Sequence, residues 1–195
     1  MSGLYLLALI GVWLLAGWVI YRLWRRWHPQ KLKEKVLHIA IGFLIFCVWF
    51  GGAFWEVAGK KMYWDAQVRK LCAIDGGVKV YETVELPEEM FNQWGQPNFY
   101  QPTQGENALG KDYIFRSEIK KYRKSDPSIS RRLYQVFRKE NNKILGETVI
   151  YVRSGGDLPG PWHGSTYRCP EDGGIIPLLV EIFEHQQTSV KEGEK

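Results

Sequence analysis

Two long apolar stretches occupy most of the first 55 residues of the chain. Residues Gly3 to Tyr21 and Val36 to Trp55 contain no Asp, Glu, Lys or Arg. A bilayer core about 30 Å thick is crossed by roughly 20 apolar residues in a helix, and neither stretch has the polar face of a soluble surface helix. The pattern predicts transmembrane spans at 3–21 and 36–55. A cleaved signal peptide is the alternative for the first stretch, but there the positive residues would precede the apolar run.

The net positive charge of the chain lies between these two stretches. Residues 22–35 hold six basic side chains against one acid, Glu34: Arg22, Arg25, Arg26, Lys31, Lys33 and Lys35. From Glu56 onward there are twenty basic and twenty acidic residues, so this loop accounts for the formal charge of +5. Short loops rich in Lys and Arg remain cytoplasmic. We therefore expect residues 1–55 to form a hairpin in the inner membrane, with the loop cytoplasmic and both termini on the exported side.

The pattern after the second span is that of a mixed domain. Apolar spacing predicts a helix over 56–74, and Val78 to Leu86 alternates as a strand does. Further strands are predicted at 113–122, 132–139 and 144–153. The last element is predicted as a helix over 177–187, with a strand over 178–183 as the alternative. Tight turns between consecutive strands favour antiparallel pairing. The predicted fold is a membrane-anchored α+β protein, in which the hairpin precedes a small exported domain at 56–187. That domain has an antiparallel sheet of about four strands with flanking helices, and 188–195 is a disordered tail.

Three cysteines agree with this topology. Cys47 falls in the second span, where we expect a packing role. Cys72 and Cys169 fall in the exported domain, where an oxidising compartment permits a disulfide. A Cys72–Cys169 disulfide is the prediction, and two separate thiols are the alternative.

The sequence shows little that indicates catalysis. It contains no phosphate loop, dinucleotide fingerprint, nucleophile elbow or close pair of zinc ligands, so we predict no catalytic residues, no metal and no cofactor. A nucleophile built from Cys72 or Cys169 with His163 is the enzymatic alternative. Basic and aromatic residues alternate along the predicted strands, but the domain has no net charge and no RNA-binding signature, so we expect no nucleic acid partner.

Two long loops carry the remaining candidates. Loops longer than about 12–15 residues are uncommon in compact domains unless they have a function or are disordered. The two long loops are at 95–111 and 154–174, and Trp94 directly precedes the first of them. The candidate partner- or ligand-binding side chains are Trp94, Phe99, Tyr100, Trp162 and His163. Aromatic side chains that fold back to cover the sheet are the alternative interpretation.

The segment from Cys72 to Val84, CAIDGGVKVYETV, resembles uncharacterised small membrane-anchored bacterial proteins. That resemblance implies an envelope location and no particular activity. We therefore expect a non-enzymatic bacterial envelope protein whose exported domain binds a partner protein or supports a membrane complex. An extracytoplasmic sensing or ligand-binding domain is the alternative, and a Cys/His-dependent enzyme is a third.

Overall fold

The structure, a computed structural model, describes residues 2–158, 160 and 163–186. The chain divides into two compact units. We call residues 1–64 with 155–165 the hairpin unit, and residues 65–154 with 166–195 the sheet unit. The predicted tail at 188–195 and the candidate Trp162 lie outside the described residues.

The hairpin unit contains two long apolar helices, α1 (Ser2–Arg25) and α2 (Leu32–Phe54). Both are long and apolar enough to cross a bilayer, and each contains an 18-residue window with a mean hydropathy of 2.2. α2 has no buried residue, and most of its apolar side chains are exposed. Each helix extends beyond its predicted span into the basic loop, because Arg and Lys are good helix formers.

A π-helical turn, Trp55–Gly59, follows α2 and leads into α3 (Lys60–Asp75). Asp75 is the last residue of α3, one residue beyond the end of the helix predicted over 56–74. Gly77 has a φ of +116°, a backbone conformation that glycine adopts readily and other residues do not. This glycine lets the chain turn directly into the first strand.

A five-stranded antiparallel sheet forms the centre of the sheet unit. Its strands are β1 (Gly77–Val80), β3 (Tyr113–Arg123), β4 (Ser128–Arg138), β5 (Lys143–Ser154) and β6 (Thr166–Cys169). The order is β1-β5-β4-β3, and β6 also pairs with β5. β1 pairs with residues 146–149 of β5 and β6 with residues 151–154, so the two short strands follow one another along the same side of β5.

The main hydrophobic core lies between one face of the sheet and α4 (Ile175–Ile182). Leu178, Leu179 and Ile182 of α4 are fully buried, as are Val136 and Leu145 of the sheet. A separate parallel pair, β2 (Val84–Leu86) with β7 (Phe183–His185), adjoins this core.

α3 lies on the opposite face of the sheet. Its residues Asp65, Val68, Cys72 and Asp75 follow the three- and four-residue spacing of one helix face. Val68 is fully buried and Cys72 is 7% exposed. The sheet unit therefore covers one face of its sheet with α4 and the other with α3.

The structure corrects several sequence predictions. The predicted single strand at 78–86 is two strands, β1 and β2, in two different sheets, because the N–H groups of Tyr81 and Glu82 both donate to the Leu145 carbonyl and turn the chain. The main sheet has five strands instead of about four, since the predicted loop at 154–174 contains β6. The predicted C-terminal helix ends at Ile182, and a strand follows it.

Candidate functional site

Asp75, at the end of α3, is the centre of a polar cluster that fastens this helix to the sheet. Its carboxylate accepts two hydrogen bonds from the Arg131 guanidinium, at 3.0 and 2.8 Å, and one from the Tyr151 hydroxyl at 2.7 Å. Arg131 and Tyr151 are directly opposite each other on β4 and β5. The register of the two strands thus places both donors beneath the end of α3.

The electrostatics of this cluster favour the ionised carboxylate. Burial acts to raise the pKa of Asp75, but the hydrogen bonds from Tyr151 and Arg131 outweigh it, and the pKa lies below its ordinary value. Burial and the hydrogen bond to Asp75 raise the pKa of Tyr151, so the phenol keeps its proton and remains a donor. The cluster is therefore a stable ion pair with a neutral phenol, and neither acid is poised to exchange protons near neutral pH.

The disulfide between Cys72 and Cys169 provides a second attachment, with a Cα–Cα distance of 5.9 Å. It joins α3 to the last residue of β6, which is opposite Tyr151 in the sheet. The covalent and the polar attachments are thus adjacent, one helical turn apart on α3. A disulfide also removes both thiolates, so in this structure the Cys/His alternative lacks its nucleophile.

A third attachment is formed about two helical turns before Cys72 on α3. The guanidinium of Arg153, whose side chain is 4% exposed, donates to the Asp65 carboxylate. A buried guanidinium without a carboxylate partner is strongly destabilising. Together, Asp65, Cys72 and Asp75 fix the face of α3 that packs on the sheet, and we call these three attachments the α3 clamp.

The predicted binding candidates occupy different environments. Trp94 is 72% exposed. Phe99 is half-buried against Phe183, at 5.3 Å between ring centroids, and Tyr100 packs edge-on against Phe115 at 6.1 Å. His163 is exposed and belongs to the hairpin unit. The first loop thus uses two of its aromatic side chains to cover the core and leaves Trp94 at the surface.

The hairpin unit holds a largely apolar cavity. About 460 Å³ in volume, it lies between α1 and α2. Trp13 stacks on Trp49 at 5.5 Å along one side. Towards the basic loop, Trp24 stacks on His38 at 4.3 Å and lies over Gly42, where an added Cβ would approach the indole to 2.6 Å. Glycine at this position lets the two helices pack closely.

The six basic side chains predicted to set the topology lie where α1 ends and α2 begins. Arg22 and Arg25 belong to the last turn of α1, and Arg22 lies over the Trp18 ring at 5.1 Å. Arg26 and Lys31 are in the connection, and Lys33 and Lys35 are in the first turns of α2. All six therefore lie at one end of the helix pair.

Among the described residues, no group of three or more His, Cys, Asp or Glu side chains is arranged to hold a metal ion. No motif in the sequence marks Asp65, Asp75 or Arg131 as members of a cluster. The spacing of positions 65, 68, 72 and 75 does place them on one helix face, which is the pattern of residues that pack together. An acid at the end of a predicted helix, however, is equally compatible with a solvent-exposed position.

Comparisons with protein-family models, with curated proteins and with solved structures find no match to this chain. The site must therefore be interpreted from its own geometry. The contacts of the α3 clamp hold a helix on a sheet. The exposed aromatic side chain of Trp94 lies elsewhere on the same unit.

Proposed function

We propose that this chain is a non-enzymatic protein of the bacterial inner membrane, with an exported α+β domain that binds a partner protein or supports a membrane complex. The observation that carries the proposal is the composition of α1 and α2. Most of their apolar side chains are exposed, and lipid is the solvent that matches such a surface. The chemistry of the α3 clamp adds no catalytic group.

The proposed orientation is supported by two independent features. Six Lys and Arg side chains gather at one end of the helix pair, and such clusters remain on the cytoplasmic side. The sheet unit contains a disulfide, and structural disulfides are rare in the cytoplasm of most organisms. Both features favour an exported sheet unit.

Reporter fusions test the orientation. An export-dependent reporter placed after Lys195 is expected to be active, and a cytoplasm-dependent reporter inserted at Gln30 is also expected to be active. Moving the six basic residues to the N-terminus should invert or scramble this pattern. The proposal would be contradicted if, in the unaltered chain, a cytoplasm-dependent reporter were active after Lys195 and an export-dependent reporter were active at Gln30.

Site-specific crosslinking tests the binding role. A photoreactive residue in place of the exposed Trp94 is expected to capture one discrete envelope protein in intact cells. The matched control carries the same residue at Val180, which is 42% exposed on α4. Equal background capture from both positions would argue against a binding surface at Trp94. Recovery of a small molecule bound at this surface would instead favour the sensing or ligand-binding alternative.

A further inference from the structure

Much of β3 is exposed to solvent. β3 is the terminal strand of the sheet, and no other strand in the described part of the chain pairs with its outer side. Seven consecutive residues, Arg116 to Tyr122, are exposed, including Ile119 at 58%. An open strand edge presents unpaired N–H and C=O groups that can add another strand.

The sequence of this exposed run is complementary to itself. Ile119 is its midpoint, with Glu118 on one side and Lys120 on the other. When two identical strands pair antiparallel about a two-fold axis, one residue lies opposite its own copy. The residue before it then lies opposite the residue after it on the other strand. An axis at Ile119 would therefore place each Glu118 opposite Lys120 of the second copy.

We propose that a second copy of this chain pairs with the first through β3, antiparallel and centred on Ile119. Ile119 then packs on its own copy, two Glu118–Lys120 pairs form, and Ser117 lies opposite Lys121. Cross-strand pairs of opposite charge and apolar pairs stabilise antiparallel strands. The two sheets become one continuous sheet.

Neighbouring registers are less favourable. An axis at Glu118 would oppose Glu118 to itself and Lys120 to Arg116, and an axis at Lys120 would oppose two lysines. Like charges directly opposite each other are destabilising. An axis at Ser117 would pair Glu118 with Arg116, but it would place Lys120 opposite Ile114 and leave part of the exposed run uncovered. Only the Ile119 register both matches the charges and covers the whole exposed run.

The local geometry also limits the length of the pairing. The register of β3 with β4 shifts between Lys121 and Arg123, which marks a bulge at Tyr122. Bulges interrupt the regular alternation of a strand and commonly end an edge that could otherwise extend. The regular edge is therefore short, and the cross-strand pairs nearest to Ile119 decide the register.

Cysteine crosslinking tests the register. The full chain in detergent, with Cys47 changed to Ala to remove the remaining thiol, receives Ile119→Cys, Ser117→Cys or Lys121→Cys. On mild oxidation, Ile119→Cys is expected to give a crosslinked dimer at least about tenfold more efficiently than the other two. Predominant crosslinking of Ser117→Cys would overturn the Ile119 register, and a monomer for all three would overturn the pairing.

Charge reversal tests the chemistry. Lys120→Glu and Glu118→Lys each convert two attractive pairs into two repulsive ones, so each variant alone should dimerise about tenfold more weakly. A mixture of the two variants should recover dimers, since each acid then opposes a lysine. Lys111→Glu, an exposed change outside the run, is the control. Unchanged association of the single variants, or no recovery in the mixture, would refute the proposal.

These experiments do not depend on the proposed membrane function. Dimerisation is measured in detergent on the full chain, and the Cys72–Cys169 disulfide reports correct folding of each variant. An inverted topology in cells would leave the β3 result unchanged. Capture of a different protein by Ile119→Cys in cells, without the self-crosslink, would assign the edge to another partner and overturn the proposal.

Discussion

Removing the Cys72–Cys169 disulfide is the most direct test of the α3 clamp. We expect the double variant Cys72→Ala/Cys169→Ala to fold, because the Asp75–Arg131 and Asp65–Arg153 attachments still hold α3 on the sheet. Its sheet unit should nevertheless be much less stable. The two cysteines are 97 residues apart, and the chain-entropy model assigns a crosslink of that span about 4.7 kcal/mol.

The measured loss should be about 2–5 kcal/mol, since native disulfides of small domains fall in that range. A domain whose free energy of unfolding is about 5–15 kcal/mol then loses a large fraction of its stability. The assay is urea unfolding of the full chain in detergent, followed by brief proteolysis, with survival of the sheet unit as the readout. Cys47→Ala is the matched control, because Cys47 forms no disulfide.

The result that refutes this reasoning is specific. If the unfolding midpoint of the double variant equals that of the Cys47→Ala control, the crosslink contributes nothing to the sheet unit. The wild-type chain in reducing agent should behave as the double variant does. A large loss in the variant without a matching loss on reduction would trace the effect to the packing of the substituted side chains.

Three further predictions concern single residues. Asp75→Asn should lower the free energy of unfolding of the sheet unit by about 1.5–3 kcal/mol, as expected for lost charge-assisted hydrogen bonds. The pKa of Asp75 is lower in the folded state than in the unfolded state. The stability difference between wild type and Asp75→Asn, measured by urea unfolding at different pH values, should therefore be complete above about pH 3.8. It should disappear as the pH falls through the pKa of Asp75 in the folded state. Gly146→Ala should cost about 1–3 kcal/mol in the same assay, since its Cβ would lie 3.0 Å from Ile182. Gly42→Val should lower the melting temperature of the hairpin in detergent, because the new side chain would overlap Trp24.

Each of these changes has a control that separates the stated cause from a general effect. Asp112→Asn removes an exposed acid and should leave stability within about 0.5 kcal/mol of wild type. Gly51→Ala adds a methyl group in open space on the same helix as Gly42, and is expected to be neutral. Equal losses in test and control variants would contradict the contacts described here.

Periodicity identified the elements that carry a strong repeating pattern. The two apolar helices and the three long strands β3, β4 and β5 each extend over at least eleven residues, so their patterns are unambiguous. The cysteine pairing was also predictable, because only two cysteines fall after the second apolar stretch. These features depend on local composition, which the sequence displays directly.

The elements that periodicity missed depend on distant partners. β6 is four residues long, too short for alternation to be visible, and it exists because β5 offers an edge beyond β1. The role of Asp75 was hidden for a similar reason. Its two donors are 56 and 76 residues further along the chain, and only the register of β4 and β5 brings them together.

The sharing of β5 by two short strands also determines the order in which the sheet assembles. β3, β4 and β5 are consecutive, so they can pair as soon as they are made, at a small loop-closure cost. β1 precedes its partner by more than sixty residues and must wait until β5 is in place. We expect amide hydrogens of β5 to exchange last and those of β1 and β6 to exchange earlier. We therefore expect the three consecutive strands β3, β4 and β5 to form first, and the beginning and the end of the sheet unit to be added to them.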